Sequence, residues 1–391
     1  MGILILSMEI IYYDTRMQET IDIVQVARIQ NIPDVVNTLK VLATGFVSFL
    51  IAFAITPLWT NILFKYKIGI RIKERSVQGE KLSIVSALHA GKAGTPTMGG
   101  VTVWIAVLAL AFASEYLFAP IAELTGHGFI AKLDFLDRAQ TWLPLFVLGA
   151  AGILGLVDDY MSVRQKGANK GGGMRFASRF WWLIAIAGAG AWWFYAKIGW
   201  DSIHVPAVGD FTIGWWYIPL FIFVILFTAI SSNETDGLDG LNGGVMLMAF
   251  GSFAVISFFQ NRMDLAAFCA AVAGALLAFL WFNIPPARFF MGDTGAISLG
   301  TTLGVVAMIT NSALVLFVIV FIYVLESGSV VIQLCSKKFL GRKVFLAAPL
   351  HHHFEAKGWP ESKVVMRAWI LTGITAAAGI VIGILGMGKY R

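Results

Sequence analysis

The run Asn233-Glu234-Thr235-Asp236-Gly237-Leu238-Asp239-Gly240-Leu241-Asn242-Gly243-Gly244 places three carboxylates and four glycines, with no lysine or arginine, between two long apolar stretches. Carboxylates set between membrane-spanning segments are costly to place and mark function by default. Asp236 and Asp239 stand three apart, so a helical turn would present both on one face. The glycines allow backbone or ligand to come close. Such a cluster suits a hydrated metal ion, a phosphorylated ligand or a proton path. A polar connection without chemistry is the plain alternative.

Four other stretches carry similar chemistry. Gly155-Leu156-Val157-Asp158-Asp159-Tyr160 ends an apolar run, and adjacent carboxylates cannot both stay ionised cheaply without a cation between them. That poises the pair for metal binding or general-base work. Lys166, Lys170 and Arg175 follow in a glycine-rich loop that suits phosphate or lipid headgroups. Lys92-Ala93-Gly94-Thr95-Pro96-Thr97-Met98-Gly99-Gly100 joins a lysine, hydroxyls and glycines at a helix entrance, where exposed N–H groups favour anions. Its spacing is not that of a P-loop, and a capped turn fits as well. Asp293, between Gly292 and Gly295, is placed either to bind a metal near a phosphate or to cap a helix. His351-His352-His353 cannot easily ligate one ion from one short stretch, so proton exchange or phosphate contact suits them better. Glu326, beside Ser327, Gly328 and Ser329 in mid-segment, reads either as a proton site or as a hydrogen-bonding group at a helix break.

The elements that must position these groups are membrane spans. The chain is 391 residues, 58% hydrophobic and 13% charged, with mean hydropathy +0.77. Ten apolar runs have spanning length, at 41–64, 98–118, 142–158, 180–196, 216–232, 241–259, 264–283, 296–310, 313–335 and 368–387. The expected fold is therefore an all-α polytopic bundle. Residues 41–391 form one integral membrane domain, and 1–40 an interfacial N-terminal extension. The start, Met1 to Tyr13, lacks the basic region and cleavage site of a removable signal peptide. Between the fourth and fifth runs, Ser202–Pro206 and Phe211–Trp215 flank Gly209-Asp210 as a small β-hairpin, with His204 structural. Cys269 and Cys335 read as packing residues.

Charge assigns the faces. Of the 29 Lys and Arg, twenty fall in odd-numbered loops, beginning with the Lys65, Lys67, Arg71, Lys73, Arg75 collar, and four in even-numbered ones. The positive-inside rule puts odd loops in the cytoplasm and the termini and hairpin outside, in the periplasm. The cations flank spans and form no separate basic domain, so nucleic acid is not an expected partner. All five reactive clusters fall in odd loops, which predicts one composite cytoplasmic site. Its many carboxylates with a few lysines and histidines suggest Mg²⁺, and a site at the inner membrane face suits phosphoryl transfer from a water-soluble ester to a lipid.

Lys92–Gly100, Gly155–Tyr160, Asn233–Leu241, Phe290–Gly295 and Pro349–Glu355, in this order, resemble the phospho-N-acetylmuramoyl-pentapeptide transferases, a branch of the polyprenyl-phosphate N-acetylhexosamine-1-phosphate transferases. The likeness runs from about residue 40 to the end, and the Pro349-Leu350-His351-His352-His353-Phe354-Glu355 run points to the muramoyl-pentapeptide branch. It implies transfer from UDP-MurNAc-pentapeptide to undecaprenyl phosphate in the bacterial inner membrane, giving lipid I and UMP, by a homodimer. It also implies roles. Asp293 would ligate Mg²⁺, Asp158 would act on the lipid phosphate with Asp159 in support, and Asp236 would be catalytic. Asn233, Gly237, Leu238, Asp239, Lys92 and Thr97 would line the nucleotide side. Asn283 and Phe290 would border the uracil, Phe290 by stacking, and His352 and His353, with His351 beside them, would contact the phosphate-sugar part. The ninth run would be bent beside a lipid groove, with Glu326 and the small residues after it at the bend. A GlcNAc-1-phosphate transferase is the nearest rival, a secondary transporter one of another class, and a non-catalytic scaffold a third. One-face crowding of carboxylates argues against the transporter, whose sites lie at the midplane.

Overall fold

The computed structural model describes residues 35–69, 90–127, 130–137, 140–167 and 172–386. The apolar start, the segment to residue 34, Arg71, Lys73, Arg75 and Lys170 lie outside these. The helices are α1 (Val35–Lys65), α2 (Val101–Thr125), α3 (Trp142–Val163), α4 (Phe176–Trp192), α5 (Tyr217–Thr235), α6 (Leu241–Phe259), α7 (Met263–Asn283), α8 (Gly292–Ile309), α9 (Ala313–Ile319), α10 (Phe321–Leu340), α11 (Leu350–Ala356) and α12 (Glu361–Gly386). All ten apolar runs are helical. Among the described residues eight helices are long and apolar enough to span alone, and α9 with α10 makes a ninth. The 17-residue α4, carried on as a wider π turn through Trp193–Ile198, covers the fourth apolar run and is not among these nine.

α8 lies at the centre. In its span window 89% of residues are buried, against 22% for α1 and α12, although its hydropathy is the lowest of the eight. In a bilayer that inversion is expected, because helix association rests on close packing rather than on apolarity. The α8 sequence, GDTGAISLGTTLGVVAMI, is built for it. A Cβ on Gly100 would stand 2.2 Å from the Gly295 Cα, and one on Gly155 2.4 Å from the Asp293 carbonyl oxygen. α2 and α3 thus press backbone to backbone on the first turn of α8. Its hydroxyls bond back along the helix, Ser298 to the Thr294 carbonyl at 2.6 Å and Thr302 to that of Ser298 at 2.7 Å, so burying them leaves no polar group unmet. The outer helices show the complementary pattern, with Leu42, Phe46, Ile370, Ile374 and Leu385 exposed as lipid-facing side chains.

Two expectations shift in detail. The ninth run breaks by 84° between α9 and α10, at Val320 and not at Glu326. The break is tolerated where its freed backbone finds partners, and Thr375 of α12 donates to the Ile319 carbonyl at 3.4 Å. The hairpin pairs β1 (Ser202–Val205) with β2 (Gly209–Thr212) in the register His204↔Asp210. Its turn is therefore Pro206 to Val208, with Gly209 opening β2 at φ +131°. The His204 Nδ1 lies 2.7 Å from the Asp210 carboxylate. Cys269 is buried in α7, as a packing residue is, whereas Cys335 is exposed on α10.

Candidate active site

The distant carboxylates meet at the first turn of α8. The first N–H groups of a helix have no partner within it and carry the positive end of its dipole. Here Gly292 N–H donates to Asp236 Oδ2 at 3.2 Å, while Asp293 N–H and Thr294 N–H donate to the two oxygens of Asp159 at 3.2 and 3.0 Å. Asp159, reaching across from α3, is the cap of the central helix. Gly292 itself has φ +75°, and a Cβ there would meet Asp159 Oδ2 at 2.6 Å and Thr97 Oγ1 at 2.8 Å. Only glycine gives that turn and that close approach.

With the backbone so held, the Asp293 side chain projects out of the turn. Its Oδ1 accepts from Asn233 Nδ2 at 2.6 Å and its Oδ2 from Arg179 Nη1 at 2.5 Å. The same guanidinium nitrogen donates to Asp158 Oδ2 at 2.9 Å, and Asp158 Oδ1 takes the Met174 N–H at 2.5 Å. Of the two carboxylates that Arg179 bridges, Asp293 is the open one, 28% exposed against 6% for Asp158.

A second group adjoins the first. Lys92 Nζ donates to Asp239 Oδ1 at 2.6 Å and to Glu361 Oε1 at 2.5 Å, and stands 5.6 Å from the centre of the half-buried Phe290 ring. Asp239 Oδ2 accepts from Ala287 N–H at 3.0 Å. Asn283 is buried with both ends of its amide engaged, accepting from Gly240 N–H at 3.0 Å and donating to the Phe289 carbonyl at 2.8 Å. Leu238 is buried against Leu241, Val364 and Val365.

The third group is ordered by Glu326. Its Oε2 accepts from His351 N–H at 3.2 Å and lies 3.0 Å from His351 Nδ1, tying α11 to α10. The opposite nitrogen of that buried ring abuts Gly237, where a Cβ would come within 2.4 Å of it. His352 Nδ1 pairs with Glu355 at 2.8 Å, and His353 Nδ1 accepts from Leu346 N–H at 3.1 Å. Burial, with Lys357 beside it, holds the His353 ring below its ordinary value.

All five sequence clusters thus converge on one end of the bundle, but not in the expected manner. Asp236 and Asp239 do not share a helical face. α5 ends at Thr235, Gly240 turns left-handed at φ +78°, and the two carboxylates diverge, Asp236 to α8 and Asp239 to Lys92. Glu234 turns away to Ser327 Oγ at 2.6 Å. Two residues central to the geometry escaped the motifs. Arg179 stands immediately before the apolar run 180–196, where it reads as one more flanking cation, and only the observed start of α4 at Phe176 places it inside a helix. Glu361 had no signal at all.

Asp158 and Asp293 share the Arg179 guanidinium while Asp159 and Asp236 accept from backbone N–H groups of the first turn of α8, so the carboxylates outnumber the cation that bridges them. Burial first, and the Asp293 charge second, push Asp236 well above the usual carboxylate range, against the pull of the Gly292 amide. A carboxyl raised in this way takes up a proton on folding between its ordinary value and its raised one, so metal-free stability falls as pH rises through that window. Asp236→Asn, which keeps an acceptor for Gly292, is expected to flatten that fall. Unfolding midpoints in chelator should favour the variant at pH 8 and converge with the parent near pH 4. Parallel curves would refute the burden assigned to Asp236. Among the described residues no three His, Cys, Asp or Glu side chains are grouped so as to cage a metal unaided.

The chain is similar to known proteins over most of its length. Residues 141–311 match the model of glycosyl transferase family 4. The chain is 37% identical over 338 residues to the phospho-N-acetylmuramoyl-pentapeptide-transferase of Geobacillus thermodenitrificans (strain NG80-2), covering 86% of this chain and 95% of that one. Its likeness to the protein of the same name from Geobacillus kaustophilus (strain HTA426) has the same identity and coverage. With that from Bacillus anthracis it is 35% over 348 residues, 88% of this chain and 98% of the relative.

Proposed function

The chain belongs to the phospho-N-acetylmuramoyl-pentapeptide-transferase family, and from that premise we propose that this multi-pass membrane protein moves phospho-MurNAc-pentapeptide from its UDP carrier to undecaprenyl phosphate. The products are lipid I and UMP, in the first membrane step of peptidoglycan synthesis. An oxygen of the lipid phosphate forms a bond to the sugar-bearing phosphorus, and the bridging P–O bond to UMP breaks, its electron pair leaving on UMP. The observation that carries the reading is the gathering of Asp158, Asp236 and Asp293 at one helix N-terminus, with Lys92 and His351 alongside.

The donor set fits Mg²⁺. It consists of carboxylate oxygens in excess of cationic partners, and this ion is usually held by one or two carboxylates, waters and substrate phosphates rather than by a protein cage. Asp293, the open member, would hold it, and when bound it supplies charge neutralisation to the diphosphate. The chain's own groups do the rest. Asp158 orients the lipid phosphate and takes any proton it carries, with Asp159 holding the helix from which Asp293 projects. Asp236 and Asn233 fix the approach to Asp293. Lys92 and Thr97 face the nucleotide phosphates, with Gly237, Leu238 and Asp239 shaping that wall, and the Phe290 ring offers uracil a stacking face beside Asn283. His352 and His353 meet the phosphate-sugar part, with His351 buried beside them. Direct attack by the lipid phosphate needs no covalent intermediate on the chain.

The charge bias of the loops supports a cytoplasmic site with both termini in the periplasm. Homodimer formation belongs to the same reading and is checked by light scattering of the purified protein. The reaction itself is tested by UMP release from UDP-MurNAc-pentapeptide with undecaprenyl phosphate. Release is expected with Mg²⁺, none in chelator, recovery on re-addition, and none from UDP-GlcNAc. Release from UDP-GlcNAc instead would move the protein to the GlcNAc-1-phosphate branch, and undiminished turnover in chelator would remove the metal.

A further inference from the structure

At the opposite end of the bundle, beneath the hairpin, lies a cavity of about 330 Å³ that the carboxylate site does not use. Its walls come from the outer ends of α6, α8, α9 and α12, from the hairpin and from the turn before α7. They carry both apolar groups, Trp200, Phe259 and Val315, and polar ones. The charged wall is Arg262. It is half-buried and its guanidinium lies 5.9 Å from the centre of the Trp200 ring, yet among the described residues it forms no salt bridge. The carboxylate that also lines the cavity, Asp210, is held 2.7 Å from His204 Nδ1. Burial without a counter-ion pulls the Arg262 guanidinium below its ordinary value. The same wall leaves the buried Gln260 Oε1 without a donor, while its Nε2 is taken by the Thr310 carbonyl at 2.9 Å.

A roomy, mixed cavity with an uncompensated cation and a spare acceptor calls for an anion that also carries a donor. The level of the cavity says where such an anion comes from. Trp192, Trp193, Trp215 and Trp216 are each at least half exposed at this end, the arrangement of an aromatic belt at the headgroup layer. We propose that this cavity binds the phosphodiester headgroup of a bilayer phospholipid, the phosphate on Arg262 and a headgroup hydroxyl or amine toward Gln260.

The test is native mass spectrometry of the delipidated full chain titrated with phosphatidylglycerol, with and without millimolar inorganic phosphate. Two variants accompany it: Arg262→Gln removes the cation, and Gln260→Glu, which keeps Arg262, puts a repelling carboxylate in the same wall. Neither residue touches the carboxylate site, so UMP release reports independently on folding. The expected result is one tightly retained lipid in the parent, weakened at least tenfold in both variants and not displaced by phosphate. Equal lipid retention in parent and in either correctly folded variant would overturn the proposal. Displacement by free phosphate would overturn the lipid assignment in favour of a soluble oxyanion.

Discussion

Asp293→Asn is expected to lower UMP release at least about a thousandfold, which corresponds to about 4 kcal/mol of transition-state stabilisation, while leaving the protein folded and inserted. The substitution is nearly isosteric. Its Oδ1 can still accept from Asn233, and the backbone N–H that holds the first turn of α8 to Asp159 is untouched. What it removes is the charge of the more open of the two carboxylates that Arg179 bridges. Loss of affinity for Mg²⁺ should accompany the loss of rate, readable as a vanished dependence of residual turnover on Mg²⁺ concentration. Parental turnover in this variant would remove both the metal assignment and the catalytic reading built on it.

The second large effect should separate two neighbours that look alike in the chain. Asp159→Ala is expected to cost about 2–4 kcal/mol of stability, because two N–H groups at the end of a buried helix lose charge-assisted acceptors together. Asp158→Asn, whose partners are a loop amide and Arg179, should leave the unfolding midpoint within a few degrees and remove turnover. Asp159→Ala would then lose activity through displacement of Asp293, and Asp159→Asn, which keeps one acceptor oxygen, should recover part of both. Scanning fluorimetry beside the UMP assay reads the two quantities. If Asp159→Ala melts with the parent, the cap is not what positions α8.

That distinction marks how far the sequence could be read. The spans and the reactive clusters were legible because a charge within a 58% hydrophobic chain is conspicuous, and loop parity gathered the clusters at one end. Roles within the cluster depend on directions that spacing does not encode. Asp158 and Asp159 are adjacent, but helical rotation sends one toward Arg179 and the other under α8. Asp236 and Asp239 have helical spacing, yet the chain leaves the helix at Thr235 and swings through Gly240. The break at Val320 follows no proline or glycine in Ala313–Leu325, and the hydroxyl that meets its freed carbonyl, Thr375, lies far along the chain on α12. Arg179 was visible as a residue but not as a bridge, because both of its acceptors lie on other helices.

The makeup of α8 also bears on how the protein is made. A helix so rich in glycine, serine and threonine gains little by partitioning into hydrocarbon alone, whereas the Leu-, Ala- and Phe-rich α7 just before it gains readily. During synthesis α8 is therefore the segment that depends on waiting neighbours. α2, α3 and α5, all upstream in the chain, supply the surfaces on which it docks. Chain order thus delivers α8 to helices that precede it in the chain and already carry the surfaces it packs on.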